Sequence, residues 1–187
     1  MKNSLWVLKY AFALASISVY NSSYASSAGD LGIEDSLKKQ LIADWTRAKN
    51  STKEFLDAMP EDGINFKPMP EMRSFAEQML HLSSATMNLV TFATGIQRTA
   101  YKDDLEKKEE YKSKSALAAV VMDSYDIIIN MIQQTEPSSL FLPSKKNPKF
   151  SCYAVLASVY EHQVHHRSQT VVYLRLKGIV PPKEKLF

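Results

Sequence analysis

One cysteine, Cys152, is present in 187 residues, so no intramolecular disulfide can form. A lone cysteine at the start of an apolar helix reads as a small core residue rather than a working thiol. Glycines number only five, and the Val, Ile and Thr residues do not alternate in strand fashion. Both features disfavour a sheet. No excess of one charge exists either. The 23 basic residues meet 20 acidic ones, for a formal net charge of +3, and Lys2 and Lys9 fall in an N-terminal leader. That balance excludes the basic stripe of a nucleic-acid surface. Hydrophobic residues make up 45%, enough for a packed core, and the length suits one domain.

Apolar runs are short. The N-terminal one, Tyr10 to Ala15 with Ile17 and Val19, is broken by serines and falls below the roughly 20 residues of a membrane span. With Lys2 and Lys9 before it and Ser23-Tyr24-Ala25 after it, residues 1–25 read as a cleaved signal peptide. The mature protein is then expected outside the cytoplasm, in a bacterial periplasm, without a stable membrane anchor. Residues 26–32 read as a linker.

The remainder divides into four helical stretches. Leu37, Leu41, Trp45 and Ala48 repeat at helical spacing between about Ile33 and Ala58, where Pro60 and Gly63 intervene. Ile64 to Arg73 holds Pro68 and Pro70 and is a loop. Ser74 and Glu77 form a capping-box pattern ahead of the stripe Phe75, Met79, Leu82, Ala85 and Leu89, which runs to Thr94 or Gly95. Gln97 to Lys114 is charge-rich and reads as a solvated connector. A third helix covers about Ser115 to Gln134. After a loop with Pro143 and Pro148, a fourth runs from Ser151 to Lys177 without Pro or Gly, ended by Gly178 and Pro181-Pro182. Four long helices and no credible strand predict an all-α four-helix bundle. Tyr125, Tyr153, Tyr160 and Tyr173 are expected in its core, and Arg167 and Arg175 on its surface or at helix ends.

Three of the four histidines crowd into Tyr160–Gln169. His162 and His166, four apart on a helix, face one way, and His81 lies on the second helix. The three could give a divalent metal three nitrogen ligands and leave a position for water or substrate. The same residues could instead be satisfied polar groups on half-buried faces, and His165, at a spacing of three, could replace His166. Each ligand would need a partner for its second ring nitrogen, for which Glu77, Gln78, Glu161 and Gln169 are candidates. Glu77 is the one nominee for a catalytic general base.

Two stretches resemble a known family. Met72-Arg73-Ser74-Phe75-Ala76-Glu77-Gln78-Met79-Leu80-His81-Leu82 is similar to the second-helix motif of the DinB-like family. His162-Gln163-Val164-His165-His166-Arg167-Ser168-Gln169, followed by Tyr173 to Gly178 and Pro181-Pro182, resembles its last helix. That motif usually reads histidine, two residues, then His-His-Arg-Gly-Gln, so Ser168 stands where glycine is usual. The resemblance covers 33–182 and implies an up-down-down-up bundle, often a homodimer. It further implies a divalent metal, zinc or nickel foremost and manganese or iron also known, held by His81, His162 and His166. His165 corresponds to the middle histidine, a packing or supporting residue. Some relatives transfer low-molecular-weight thiols or isomerise thiol adducts. The expected function is therefore that of a metal-dependent hydrolase or thiol transferase acting on a small-molecule substrate, with a non-catalytic metal-binding or interaction module as the alternative.

Overall fold

Four helices order the chain: α1 (Ala28–Ala58), α2 (Phe75–Thr94), α3 (Lys114–Gln134) and α4 (Cys152–Leu176). They belong to a computed structural model that describes residues 28–185, with side chains from 32 onward. The expected signal peptide, residues 1–25, lies outside the described residues. Helix α1 begins at Ala28, so most of the stretch read as linker is already helical.

The caps follow the sequence closely. Ser74 Oγ accepts from the Glu77 amide at 3.2 Å, and the Glu77 carboxylate accepts from the Ser74 amide at 2.8 Å, closing the capping box of α2. Gly95 ends α2 in the left-handed region at φ 79, where a side chain would be strained. A Cβ there would also lie 2.8 Å from Cγ of Lys145. Ser113 and Ser151 cap α3 and α4 in the same way as Ser74.

Cross-helix contacts fix the directions. Lys49 pairs with Asp126 and Lys114 with the Asp57 carbonyl, so α1 and α3 are antiparallel. Arg47 meets Tyr160, and Lys177 meets Asp62 just beyond α1, so α1 and α4 run the same way. Tyr173 meets the Arg73 carbonyl at one end of α2, and Ser144, shortly before α4, meets the Phe92 carbonyl at the other. Helix α2 therefore opposes α4 and runs with α3. The order is up-down-down-up, and the parallel α2–α3 step requires a connection along the length of the bundle.

That connection is not the solvated segment its charge suggests. Leu105 is fully buried, and the short helical turn Leu105–Lys107 packs against the outer face of α2. Its charges lie along the exposed side while one leucine anchors it, a pattern that a count of charges hides.

Trp45, Phe75, Tyr125 and Tyr173 are the largest fully buried side chains, with Trp45 stacked edge-on against Tyr160 at 5.5 Å. Tyr160 is half-buried and Tyr153 is 37% exposed, so only two of the four tyrosines lie wholly in the core. Cys152 is buried, and burial raises its thiol pKa, with Lys145 opposing. The thiol is a core group, as its position implies.

Candidate metal centre

His81 stands on the outer face of α2, two turns into the helix, and α4 lies beside it. The periodicity of α4 turns His162 and His166 toward α2, while Gln163 and Arg167 point toward α1 and α3. One ring nitrogen from each of His81, His162 and His166 lies within 4.8 Å of the other two. Ring centroids are 4.4 Å apart for His162 and His166, and 4.5 Å for His81 and His166. His166 is buried and the other two are half-buried. His165 is exposed and outside the cluster, its Nε2 against the Gln169 amide at 3.1 Å.

The surrounding groups set the tautomers. His81 Nδ1 lies 2.6 Å from Glu106 Oε1, so the carboxylate accepts a hydrogen bond from Nδ1–H and leaves Nε2 with the lone pair. Glu106 is itself held by Arg73 Nε at 2.5 Å, and the Arg73 carbonyl accepts from Tyr173 at 2.8 Å. His166 Nδ1 lies 2.8 Å from the Gln78 amide, which also bonds Gln169. The Gln78 NH2 faces Nδ1, which then accepts and leaves the proton on Nε2; the flipped amide would accept Nδ1–H and free Nε2. His162 Nδ1 is buried and meets no hydrogen-bond partner among the described residues. An orphaned ring nitrogen is costly unless something else satisfies it.

Burial and neighbouring rings disfavour the charged form of the two α4 histidines. Burial first, then His162, His81, His165 and Arg73, push His166 down to about 4. Burial, followed by His81 and His165, lowers His162 as well. Neutral imidazoles with converging lone pairs are the donor set a divalent cation takes, so the residues present fit such an ion.

Of the four candidate supporting residues, only Gln78 meets one of the three rings; Gln169 bonds Gln78 and His165, Glu161 is exposed, and Glu77 is committed elsewhere. Burial alone would raise the Glu77 carboxyl. The Ser74 amide and the cations of Lys67 and Lys112 more than offset it and hold the carboxyl down to about 2. It bonds to none of the three histidines, and a carboxylate so acidic is a poor base near neutral pH. The nomination of Glu77 thus meets a helix cap instead. The supporting carboxylate that sequence reasoning missed is Glu106. It lies 25 residues from His81 in a segment read as solvent-facing, and only the buried Leu105 beside it hinted at packing.

A cavity of about 320 Å³ opens beside His81, lined also by Ser84, Asn88, Asp103, Asp104 and Glu106. Of the three histidines, His81 alone lines it.

An up-down-down-up bundle that gathers three imidazoles from two antiparallel helices is a four-helix protein with a candidate metal centre. The chain belongs to the DinB family, whose model matches residues 33–186. Among solved structures, it is similar to a DinB-like protein from Bacillus cereus ATCC 10987, with 19% identity, a TM-score of 0.68, and coverage of 79% of this chain and 97% of that one. A DinB-like protein from Bacillus subtilis is similar at 17% identity and a TM-score of 0.57, covering 79% and 96%. At these identities the likeness establishes the fold. No curated protein matches the chain.

Proposed function

We propose that His81, His162 and His166 bind one divalent metal ion, zinc or nickel before manganese or iron, and that the loaded centre is a metal-dependent hydrolase or transferase for a small molecule. The convergence of three imidazole nitrogens within 4.8 Å is the observation that carries this reading. A cation held there supplies Lewis-acid chemistry, acidifying a water or holding a thiolate or carbonyl oxygen. The chain's own part is to hold His81 through Glu106 and His166 through Gln78, and to disfavour protonation of His162 and His166. The open cavity at His81 favours catalysis over a sealed, purely structural ion. The leader of residues 1–25 supports export to a periplasm, and the reading includes a homodimer as the assembled form. Export favours hydrolysis over thiol transfer, since small-thiol pools are largely cytoplasmic.

Elemental mass spectrometry on tag-free protein tests the proposal. Wild type should carry near-stoichiometric metal, and His162→Ala and His81→Ala should each lose it. Metal retained by both variants, or none taken up by wild type supplied with zinc, nickel or manganese, defeats the reading.

A further inference from the structure

The cavity beside His81 continues along α2. Asn88, Arg98 and Lys102 line both it and a second cavity of about 590 Å³, which is bounded further by Thr91, Gln97 and Lys146. His81, Ser84, Asn88 and Thr91 recur at helical spacing, so the two cavities form one trench along a single face of α2. From His81 to Asn88 the helix rises about 10 Å, at about 1.5 Å per residue. The far cavity is lined by three cations and by no Asp or Glu.

Three separate segments are tied together to build it. Arg98 donates through Nη2 to the Lys102 carbonyl at 2.7 Å. Tyr101, just before, adopts a left-handed backbone at φ 55, a strained conformation outside glycine. The loop carrying Lys146 is pinned to the end of α2 by Ser144 Oγ on the Phe92 carbonyl at 3.2 Å and by the Lys145 amide on the Ala93 carbonyl at 3.4 Å. Acids on the connector are engaged by other cations: Asp103 by Lys108 at 3.1 Å, and Asp104 by Lys107 at 3.0 Å. Arg98 Nη1 and Thr91 Oγ1 are both shielded from solvent and lack a hydrogen-bond partner among the described residues. A guanidinium nitrogen held dry without an acceptor calls for an anionic one.

We propose that Arg98, Lys102 and Lys146 form an anion site that seats the carboxylate or phosphate end of a small molecule whose other end reaches the three histidines. Its substrate assignment rests on the proposed metal function; the anion site itself does not. The substrate class is then an elongated anionic molecule, with the reacting group about 10 Å from its charge.

Calorimetric titration with inorganic pyrophosphate and with glutarate tests the anion site on wild type, His162→Ala, Arg98→Met, Lys146→Met and Lys149→Met. Lys149 is exposed and outside both cavities, and its loss changes net charge equally. Binding should persist in His162→Ala and Lys149→Met and weaken about tenfold in Arg98→Met, the scale of one charge-assisted hydrogen bond. Lys146→Met, an exposed side chain with little bearing on folding, should weaken it by a smaller factor. The tighter of the two probes identifies the anion as phosphate or carboxylate. Absent binding, or equal weakening in Lys149→Met, overturns the site. For the substrate assignment, cobalt-loaded wild type is titrated with a mercaptohexanoate and the matching mercaptohexanol, read by thiolate-to-cobalt absorption. The acid should bind more tightly than the alcohol, and Arg98→Met should erase the preference. Equal binding overturns the assignment, whereas failure to load cobalt indicts the metal reading and leaves the calorimetric result standing.

Discussion

His162 and Gln163 are neighbours in sequence, yet they serve two polar clusters on opposite faces of α4. On the Gln163 side, Oε1 accepts from Tyr125 at 3.0 Å and from Arg167 at 3.1 Å, and Tyr125 shares a further bond with Thr52 at 2.8 Å. Arg167 also donates to the Ala48 carbonyl, so a residue expected at the surface clamps α4 to α1. Gln163 Nε2 is buried without a partner among the described residues, but the other side-chain donors of this cluster meet acceptors. On the His162 side, ring nitrogens of like kind face one another, and burial disfavours protonation of His162 and His166. A buried polar cluster that completes itself stabilises a fold. One that gathers lone pairs without donors is built around something added later.

Truncating one residue on each side should break this comparison most sharply. Tyr125→Ala empties a fully buried site and unpairs Gln163, costing about 3–5 kcal/mol of stability. Refolded protein should still take up metal. His162→Ala should do the opposite, removing metal while the metal-free melting temperature moves little. Calorimetric melting and elemental analysis on both variants check the pair, and loss of metal in Tyr125→Ala beyond its unfolded fraction would count against two separable clusters.

Glu106 sharpens the site further. Replacing it by glutamine removes the charged acceptor on His81 Nδ1 and releases Arg73. Metal affinity should fall about 10–100-fold, the usual cost of losing a supporting partner. Competition against a chromophoric chelator measures this directly.

Much of this was legible in the residues. Ser74, Glu77 and Gly95 specify the ends of α2 by local hydrogen bonding, and Ser151 and Gly178 do so for α4, so those boundaries follow from nearby sequence. The histidine triad was legible because a spacing of four on one helix is a geometric statement. Glu106 was not, since its role depends on a connector folding back through Leu105, a long-range packing event with no periodicity to announce it. That His166 rather than His165 joins the cluster likewise depends on which face of α4 meets α2, a tertiary fact that spacings of three and four leave open.

Acid should expose the same asymmetry without mutation. Above pH about 6.5 the His166 ring is neutral whether the chain is folded or not, so stability is insensitive to its proton. Between about 6.5 and about 4 the unfolded chain takes up that proton while the folded one resists, and each step down in pH favours unfolding. Below about 4 the loss is complete. His162, also lowered, adds in the same direction. Melting of metal-free protein across this window should show the decline, and His166→Leu should flatten much of it. An unchanged slope in that variant would place the acid sensitivity elsewhere.

The smallest effect concerns Glu77, which sits one turn from His81 but belongs to the scaffold. Glu77→Gln keeps the shape of the capping box and removes the charge that Lys67 and Lys112 share. Stability should fall by about 1 kcal/mol, the typical worth of a cap. Because the folded carboxyl is held near 2 against an ordinary 4.5, its contribution is fully present above pH 4.5 and fades as pH falls toward 2. The gap between variant and wild type should therefore close across that acid range, while metal content stays unchanged. A loss of metal in this variant would instead move Glu77 from the scaffold into the site, and with it the boundary between the two clusters.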